Sequence, residues 1–588
     1  MESFNPDMEK LMEAWTNGVL VLALDFGVTF TGISYSVLKS PSEDRRVDPT
    51  TIVSWPGQGI HNWHAPKTPS AIAYENGTCF WGHPAMEKHN VIQWFKLFLM
   101  DENLPDYLKN SPRIQQVSAI IQSSGKTAVE VAADYFRKVF EHSLEQIRHA
   151  RGDSLKHAAL RNMERALELS GILDVRPNGV AQTTYKFVTE PEAASMVAIP
   201  DLDGWDNLFI NDSFVVVDMG GGTVDCISYT VNDIGPLRIR EVVEGDGDLC
   251  GAWFVDQEFQ TAIQKKVMEE GGIAFEELGL SDQRTILNTW EYAIKRDFDT
   301  EYDVVRQIGP FLTPDNRRIF LHISPDEILH MFEPVKARIE ALVRRQVEAI
   351  EAKNLSLPKY IVLVGGFGES PFLRSSLELA YKGRITILQE AGDKPSSAVS
   401  RGGVVCGTHR KELLVRSRVS RYSYGYPLQV PFQEGVHHPN DKTFDASRGC
   451  YMADDQMKWI VKRGDEVGQR VHREFPYERR FRAEQGGHPL RGFQEWTVEI
   501  WESERANPPS RKAALLPDED FMVSKSFTMR TPVPVEQLKK VEGEGEYWYV
   551  LEYDLKVEVS GACINLSAKW ADDKSIELVR AGLGVVLD

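Results

Sequence analysis

Residues 215–231 read VVVDMGGGTVDCISYTV. An apolar, β-branched run ends in Asp218, a glycine turn (Gly220, Gly221, Gly222) follows, and a second apolar run leaves from Asp225. The turn is too short for a helical crossover, so the two runs form a β-hairpin. Residues 22–37, LALDFGVTFTGISYSV, repeat the arrangement, with Asp25 ahead of a turn at Gly27. The tails GISYSV and CISYTV nearly coincide. An internal repeat at this separation predicts two similar domains that face each other across a cleft.

The second half is clearly punctuated. Strands are expected near Val215–Asp218, Cys226–Val231 and Ile239–Val243, and a helix from near Phe254. An insertion follows that includes a long helix. Its start is marked by Ser324 as N-cap, Pro325 at the first helical position and Glu327 at the third. Ile328, Phe332, Val335, Ile339 and Leu342 then recur at helical spacing. Tyr360–Val364 reads as a strand running into Gly365 and Gly366, Thr386–Leu388 as a last strand, and Ser396–Cys406 as a closing helix. The first half should match. Helices are expected at Ala128–Ile147 and His157–Leu169, and a strand at Tyr185–Val188. The intervening HARGDSLK carries no β-run, so one central strand is expected to be missing.

Beyond about residue 410 the texture changes. Tyr549, Leu551, Tyr553, Leu555, Val557 and Val559 alternate with mostly polar residues, as on a long strand with one apolar face. Trp496–Ile500 and Ile564–Ala568 read as further strands, and turn signals at Pro439-Asn-Asp and Gly543-Glu-Gly separate such runs. A β-sandwich or compact β-domain is expected. The organisation is therefore a flexible leader (1–17), an α/β domain (18–410, with halves 18–212 and 213–410 and an insertion at about 255–345) and a β-rich domain (411–588).

Bulk properties narrow the function. A chain of 588 residues exceeds one hydrophobic core. Its 42% apolar and 26% charged content is ordinary for a globular protein. The net charge of -19 repels phosphate backbones and argues against nucleic acid as a general partner. Lys462–Arg482 is basic, but Asp465, Glu466, Glu474 and Glu478 interrupt it, so it reads as a solvated face. Cys79, Cys226, Cys250, Cys406, Cys450 and Cys563 form no C-x-x-C pair, which leaves zinc-ribbon and redox chemistry unsupported. Their scatter fits a reducing compartment, and a cytoplasmic location (or also a nuclear one) is expected. The acidic start MESFNPDMEKLMEAW does not read as a signal peptide, and the best apolar run, Gly18–Val28, is short and holds Asp25, so no membrane span is expected.

A nucleoside triphosphate needs backbone amides for its phosphates, a magnesium ion, and carboxylates for that ion's waters. Asp25–Thr29 offers one turn and one carboxylate; Asp218–Asp225 offers a second turn and two more. Glycine lets backbone approach phosphate oxygens closely. A lone Asp-x-Gly is an ordinary hairpin turn, but two matched copies behind apolar strands favour phosphate binding.

Five segments in order, Asp25–Thr29, Lys96, Thr189-Glu190-Pro191, Asp218–Asp225 and Val364-Gly365-Gly366, resemble the nucleotide motifs of the seventy-kilodalton heat-shock chaperone family over roughly residues 18–410. FVTEPEAAS and VLVGGFGESPFLR are the most specific phrases, and FGES and WFKLFL look more like the family's divergent lid-less relatives. The resemblance implies an actin-like, duplicated ribonuclease-H-like nucleotide-binding domain followed by a mainly-β domain. It implies ATP or ADP with Mg2+ as cofactors, and a weak ATPase. Asp25 and Asp218 would hold magnesium through water. Gly27, Thr29, Gly220, Gly221, Gly222 and Thr223 would cradle phosphates, with Gly251 added to the nucleotide-binding set. Asp225 would orient or deprotonate the attacking water. Lys96 would meet the γ-phosphate, and its neighbours Phe95, Leu97 and Phe98 would pin it. Glu190 would join the magnesium-water network, and Thr223 would complete the catalytic set. Gly365 and Gly366 would admit adenosine, and Lys295 would lie beside the ribose or adenine.

Three departures matter. Val28 stands where the family has a threonine, which removes a hydroxyl near the γ-phosphate and predicts slower hydrolysis. The missing strand would normally end in a turn that passes nucleotide state onward, so its loss predicts altered coupling. No lid-like helical bundle follows the β-domain, so neither a clamp over peptide nor docking of tetratricopeptide co-chaperones is supported; Leu413-Leu414-Val415 lies where the family has its linker. Three functions follow in order: a chaperone-like ATPase that meets protein clients or partners through its β-domain, a non-hydrolysing nucleotide sensor or scaffold, and a small-molecule kinase of the same superfold.

Overall fold

The computed structural model describes residues 19–38, 49–57, 65–99, 109, 111–151, 169–170, 188–201, 208–234, 237–300, 304–313, 317–354, 356–408, 415–468, 471–483, 492–512, 521–543, 546–560, 563–571 and 577–582. The chain divides into two units: Met1–Arg238 with Asp246–Leu414, and Ile239–Gly245 with Val415–Asp588.

The first unit opens with the hairpin β1 (Val19–Phe26) and β2 (Phe30–Leu38), whose register runs from Val19 opposite Leu38 to Phe26 opposite Thr31. The short strands β3 (Thr50–Thr51) and β4 (Lys67–Pro69) both pair with β2. A small sheet places β5 (Ala71–Glu75) between β6 (Thr78–Trp81) and β7 (Ile92–Gln93). Helices α1 (Pro112–Ser123) and α2 (Ala128–Arg151) cover these strands. Val131, Tyr135, Phe136 and Val139 of α2 recur at helical spacing and are buried. Phe26 packs among Phe95, Tyr135 and Phe136, with ring centroids 5.6, 6.0 and 4.8 Å away. The expected helix at His157–Leu169, the strand at Tyr185–Val188 and the strand gap near 150–157 fall almost wholly outside the described residues.

The first half ends with α3 (Glu190–Asp201), and the second half begins with β8 (Ser213–Met219), β9 (Val224–Ile234), β10 (Leu237–Glu241), β11 (Asp246–Asp248) and α4 (Ala252–Lys266). Then come α5 (Leu280–Thr289), a hairpin of β12 (Arg306–Leu312) and β13 (Arg318–Ile323), and α6 (Pro325–Asn354). The half closes with β14 (Tyr360–Val364), α7 (Pro371–Ala380), β15 (Thr386–Gln389) and α8 (Lys394–Thr408). In the main sheet β9, β8, β14 and β15 lie side by side in that order, and β11 also pairs with β9. β8 is antiparallel to β9 and parallel to β14, which runs parallel to β15. Every residue of β8 is buried, which is why FVVV is continuously apolar rather than alternating.

The start of α6 is the capping box read from the sequence. The Glu327 N–H donates to Ser324 Oγ (3.3 Å), and the Ser324 N–H donates to Glu327 Oε2 (2.8 Å). Ile328, Phe332, Val335, Ile339 and Leu342 are all buried along one face. Changing Ser324→Ala is expected to lower the unfolding free energy of the first unit by about 1 kcal/mol, measured by denaturant unfolding, with nucleotide affinity unchanged.

The strand expected near Ile239–Val243 is β10, and residues 239–245 belong to the second unit. There Ile239 bridges Val415 in parallel, and the buried Glu241 carboxylate accepts from the N–H groups of Gly245 (3.1 Å) and Val419 (2.9 Å). Two antiparallel sheets form the body of this unit. One has the order Lys442–Asp445, Cys450–Val461, Ser423–Pro431, Glu495–Ser503, Phe521–Arg530; the other has Val471–Arg482, Glu546–Ser560, Cys563–Trp570, Glu577–Gly582, with Lys539–Gly543 also on Glu546–Ser560. Tyr424, Ile460, Trp496, Ile500 and Met529 of the first sheet share one core with Phe481, Tyr549, Leu551, Tyr553, Leu555 and Ala568 of the second. Two sheets around one apolar layer are a sandwich. Within the basic run, Arg480 pairs with Glu478 (3.2 Å), Arg482 with Glu546, and Arg463 with Glu244 (2.9 Å).

Candidate functional site

The repeated hairpins close in the same way. In the first turn the Gly27 N–H donates to the Phe30 carbonyl (3.0 Å); in the second the Gly220 N–H donates to the Thr223 carbonyl (2.9 Å). Among the described residues the N–H groups of Val28 and Thr29, and of Gly221, Gly222 and Thr223, make no further hydrogen bond. The turns meet face to face. A Cβ on Gly221 would lie 1.7 Å from Thr29 Oγ1, and one on Gly222 would lie 3.0 Å from Val28 Cγ2. Only glycine permits that approach. Val28 is buried in this contact, so the residue that replaces the expected threonine packs against the second turn.

Gly251 sets the orientation of the second turn. At the N-terminus of α4, the N–H groups of Gly251, Ala252 and Trp253 donate to the carbonyls of Gly222 (3.1 Å), Gly220 (3.2 Å) and Gly221 (2.8 Å). A trans peptide holds its C=O and the next N–H on opposite sides. With the carbonyls turned toward α4, the amides of Gly221, Gly222 and Thr223 face away from it. A Cβ on Gly251 would lie 2.6 Å from the Gly221 carbonyl, so this position also requires glycine.

Four carboxylates and two ammonium groups gather around the turns. Asp218 and Asp225 are cross-strand partners at the mouth of the second hairpin. Asp25 is the next-to-last residue of β1, opposite Gly32. Glu190 is the first residue of α3, which Thr189 caps through Oγ1 to the Glu192 N–H (3.2 Å). Lys96 Nζ donates to Glu190 Oε1 at 2.9 Å; the two side chains stay 32% and 38% exposed. The buried Phe95 and Leu97 anchor the turn that carries Lys96, and its ammonium lies 5.7 Å from the Phe26 ring centre. Lys67 Nζ stands 2.6 Å from Asp25 Oδ2.

Burial pushes the Asp218 carboxyl well above the usual range; Glu190, Asp25 and Asp225 add to the rise, and Lys67 opposes it. Burial also raises Asp25, helped by Glu190 and opposed by Lys67 and Lys96. Glu190 shifts the other way: burial would raise it, but Lys96 and Lys67 together hold it below the ordinary value. Both lysines are raised despite burial, Lys67 chiefly by Asp25 and Lys96 chiefly by Glu190. Acids in excess over cations in low dielectric are a setting that attracts a further cation.

Magnesium takes oxygen ligands, often waters held in turn by carboxylates. Among the described residues no three metal-ligating side chains form a cluster, and Asp218 has no ion pair within 4 Å. The donor set at Asp218 fits a hydrated divalent cation, with Asp25 already neutralised by Lys67.

Gly365 follows β14 at φ +83°, beside Asp218, where a Cβ would lie 2.4 Å from Asp218 Oδ1. Gly366 is exposed, with nothing closer to its Cβ position than Ser396 Cβ at 3.8 Å. Lys295 pairs with acids other than those four carboxylates. It is 6% exposed, and its ammonium pairs with Asp256 (2.9 Å) and Glu291, while Trp290 Nε1 also donates to Asp256 (2.7 Å). Burial would lower Lys295, but Asp256 and Glu291 outweigh it and raise it.

Sequence reading passed over Lys67, Ser70 and Gly32. Ser70 Oγ donates to the Gly27 carbonyl (2.7 Å), and its N–H donates to the Thr29 carbonyl (2.8 Å), which straps β4 to the first turn. The only local signal for these residues was Gly32 inside the repeat; cross-strand pairing does the rest.

Comparison with known proteins gives a distant relationship to the seventy-kilodalton heat-shock proteins. Heat shock 70 kDa protein 12A of Mus musculus and that of Homo sapiens are each 26% identical to this chain over 274 residues, covering 42% of this chain and 39% of the relative. The chain thus spans about two fifths of the length of the curated relatives it matches. Residues 418–518, in the second unit, match a family described only as a domain of unknown function (DUF8568).

Proposed function

We propose that the first unit is an actin-like nucleotide-binding domain that binds ATP on the two facing glycine turns and hydrolyses it slowly, as part of a chaperone-like protein whose β-sandwich meets a protein partner. The observation that carries this reading is the matched pair of turns, each with unpaired amides and each flanked by a strand-end aspartate. The distant relationship to heat-shock 70 kDa proteins supports the same nucleotide chemistry.

In this reading the amides of Val28, Thr29, Gly221, Gly222 and Thr223 receive phosphate oxygens. Lys96, steadied by Glu190, meets the terminal phosphate as a point charge. Asp225 accepts the proton of the attacking water. Gly366 leaves room for the nucleoside. Asp218 holds the waters of magnesium, which when bound would neutralise phosphate charge. A non-hydrolysing sensor is the second reading. It is favoured by Val28, which sets methyl groups against Gly222 where a hydroxyl was expected.

The test is titration of the full-length chain with a fluorescent ATP analogue, followed by single-turnover hydrolysis. Saturable binding with slow phosphate release is expected. Binding without release would favour the sensor, and phosphate transfer to an added sugar would overturn both readings.

A further inference from the structure

We propose that Glu369 reads the nucleobase: its side chain accepts a hydrogen bond from the exocyclic amine of adenine, so the site prefers an amino-bearing purine over one with a carbonyl in the same place. The inference rests on the nucleotide reading above and deepens it by naming the residue that selects the base.

The chain leads from the phosphate end to Glu369 in a few residues. Gly365 lies against Asp218, Gly366 is exposed, and a single 3-10 turn, Phe367–Glu369, follows. That turn is held from behind. Phe367 is buried, with its ring stacked on Phe332 at 6.2 Å between centroids, and the Gly368 carbonyl accepts from Gln389 Nε2 (2.6 Å). The Ser370 N–H donates to the Phe367 carbonyl (3.2 Å) and closes the turn. Phe367 and Gly368 thus belong to the core, while Glu369 is half-buried.

Glu369 Oε1 is nonetheless shut off from solvent, and no group among the described residues donates to it. A buried acceptor without a donor is uncommon in a folded chain. Its surroundings say what kind of donor fits. Burial raises the Glu369 carboxyl; the Ser396 hydroxyl, the Arg296 charge, the Ser396 N–H and the Lys67 charge oppose the rise. Ser396 is also the nearest neighbour of the open side of Gly366, where the nucleoside is expected. Glu369 is therefore within electrostatic reach of Lys67 at the phosphate end and of Arg296, an exposed planar cation of the kind that stacks on aromatic rings. A base beside Gly366 offers its edge to Oε1. A carbonyl on that edge only accepts, whereas the adenine amine donates. The carboxyl keeps an acceptor oxygen in either protonation state. A ribose hydroxyl could donate as well, but it is common to all ribonucleotides and would give no preference between bases.

The test is competition on the full-length chain in magnesium, with a ribose-labelled fluorescent ATP analogue displaced by ATP or by inosine triphosphate, which carries a carbonyl in place of the amine. The unaltered chain is expected to bind ATP at least about tenfold more tightly, the size of one hydrogen bond to a charged group, because the inosine carbonyl sets an acceptor against an acceptor. Glu369→Ala is expected to weaken ATP by about tenfold and to leave inosine triphosphate within about threefold, so the preference disappears. Glu369→Gln keeps the size and an acceptor but adds an amide donor; it should narrow the preference by strengthening inosine triphosphate. Equal affinity of the unaltered chain for the two nucleotides would overturn the inference and leave the nucleotide reading standing; this comparison needs no variant. Equal losses of both nucleotides in Glu369→Ala would also overturn it, since they would mark a structural or ribose contact. No binding of either nucleotide by the folded chain would overturn both.

Discussion

Asp225→Asn is expected to lower single-turnover ATP hydrolysis by about a hundredfold or more, the usual contribution of a positioned general base, while nucleotide affinity changes by less than about threefold. Asp225 is the cross-strand partner of Asp218 and is also paired with Gly247 on β11. A Cβ on Gly247 would lie 2.4 Å from Asp225 Oδ1, so the missing side chain leaves that oxygen its position. Asparagine preserves size and one acceptor oxygen but cannot take a proton at neutral pH. It also removes one of four clustered acids, which eases the repulsion felt at Asp218. Fold and binding should therefore survive while the proton-accepting step fails. Phosphate release after rapid mixing, set against an equilibrium titration of the same preparation, checks both halves. A collapse of affinity would show that Asp225 holds nucleotide instead.

Gly402→Ala is expected to destabilise the first unit by about 3 kcal/mol or more, at or beyond the upper end of overpacking effects. Replacing a mid-helix glycine with alanine on its own would stabilise by roughly 1 kcal/mol. Sterics reverse the sign. A Cβ on Gly402 would lie 1.6 Å from the Ala193 carbonyl oxygen, a backbone atom that no rotamer change can move. Gly403 and Gly407 show the same closeness on the strand side, 2.8 Å from Ala23 Cβ and 2.6 Å from Val21 Cγ1. The three glycines let α8 lie flat against α3 and β1, the elements that carry Glu190 and Asp25. Chemical denaturation of the full-length chain reads the loss directly. Gly366→Ala is the contrast: with 3.8 Å of clearance and φ −67°, it should leave stability unchanged. If Gly402→Ala melts with the unaltered chain, helices α8 and α3 are not packed this closely.

The duplicated hairpins, the capping box of α6 and the alternation of Glu546–Ser560 were legible because each is local. A strand-turn-strand repeat, a side chain reaching three residues along, and a period of two are all written within a few residues of one another. The turns' glycines were legible for the same reason, and so were Asp25, Asp218 and Asp225 at their strand ends. Lys96 and Glu190, 94 residues apart, were linked only by resemblance, and the structure places them 2.9 Å apart.

What the sequence by itself determined is the set of local geometries: two Asp-x-Gly turns, the helices and strands around them, and the switch to an alternating β pattern near residue 410. What only the tertiary structure decided is which charges meet. Register across β1, β2 and β4 delivered Lys67 to Asp25, buried ion pairs drew Lys295 to Asp256 and Glu291, and the path of residues 239–245 gave Glu241 to the second unit. The reason is physical. A short-range pattern fixes backbone conformation through sterics and hydrogen bonds, whereas the partner of a buried charge is set by long-range packing, where desolvation makes any nearby opposite charge decisive.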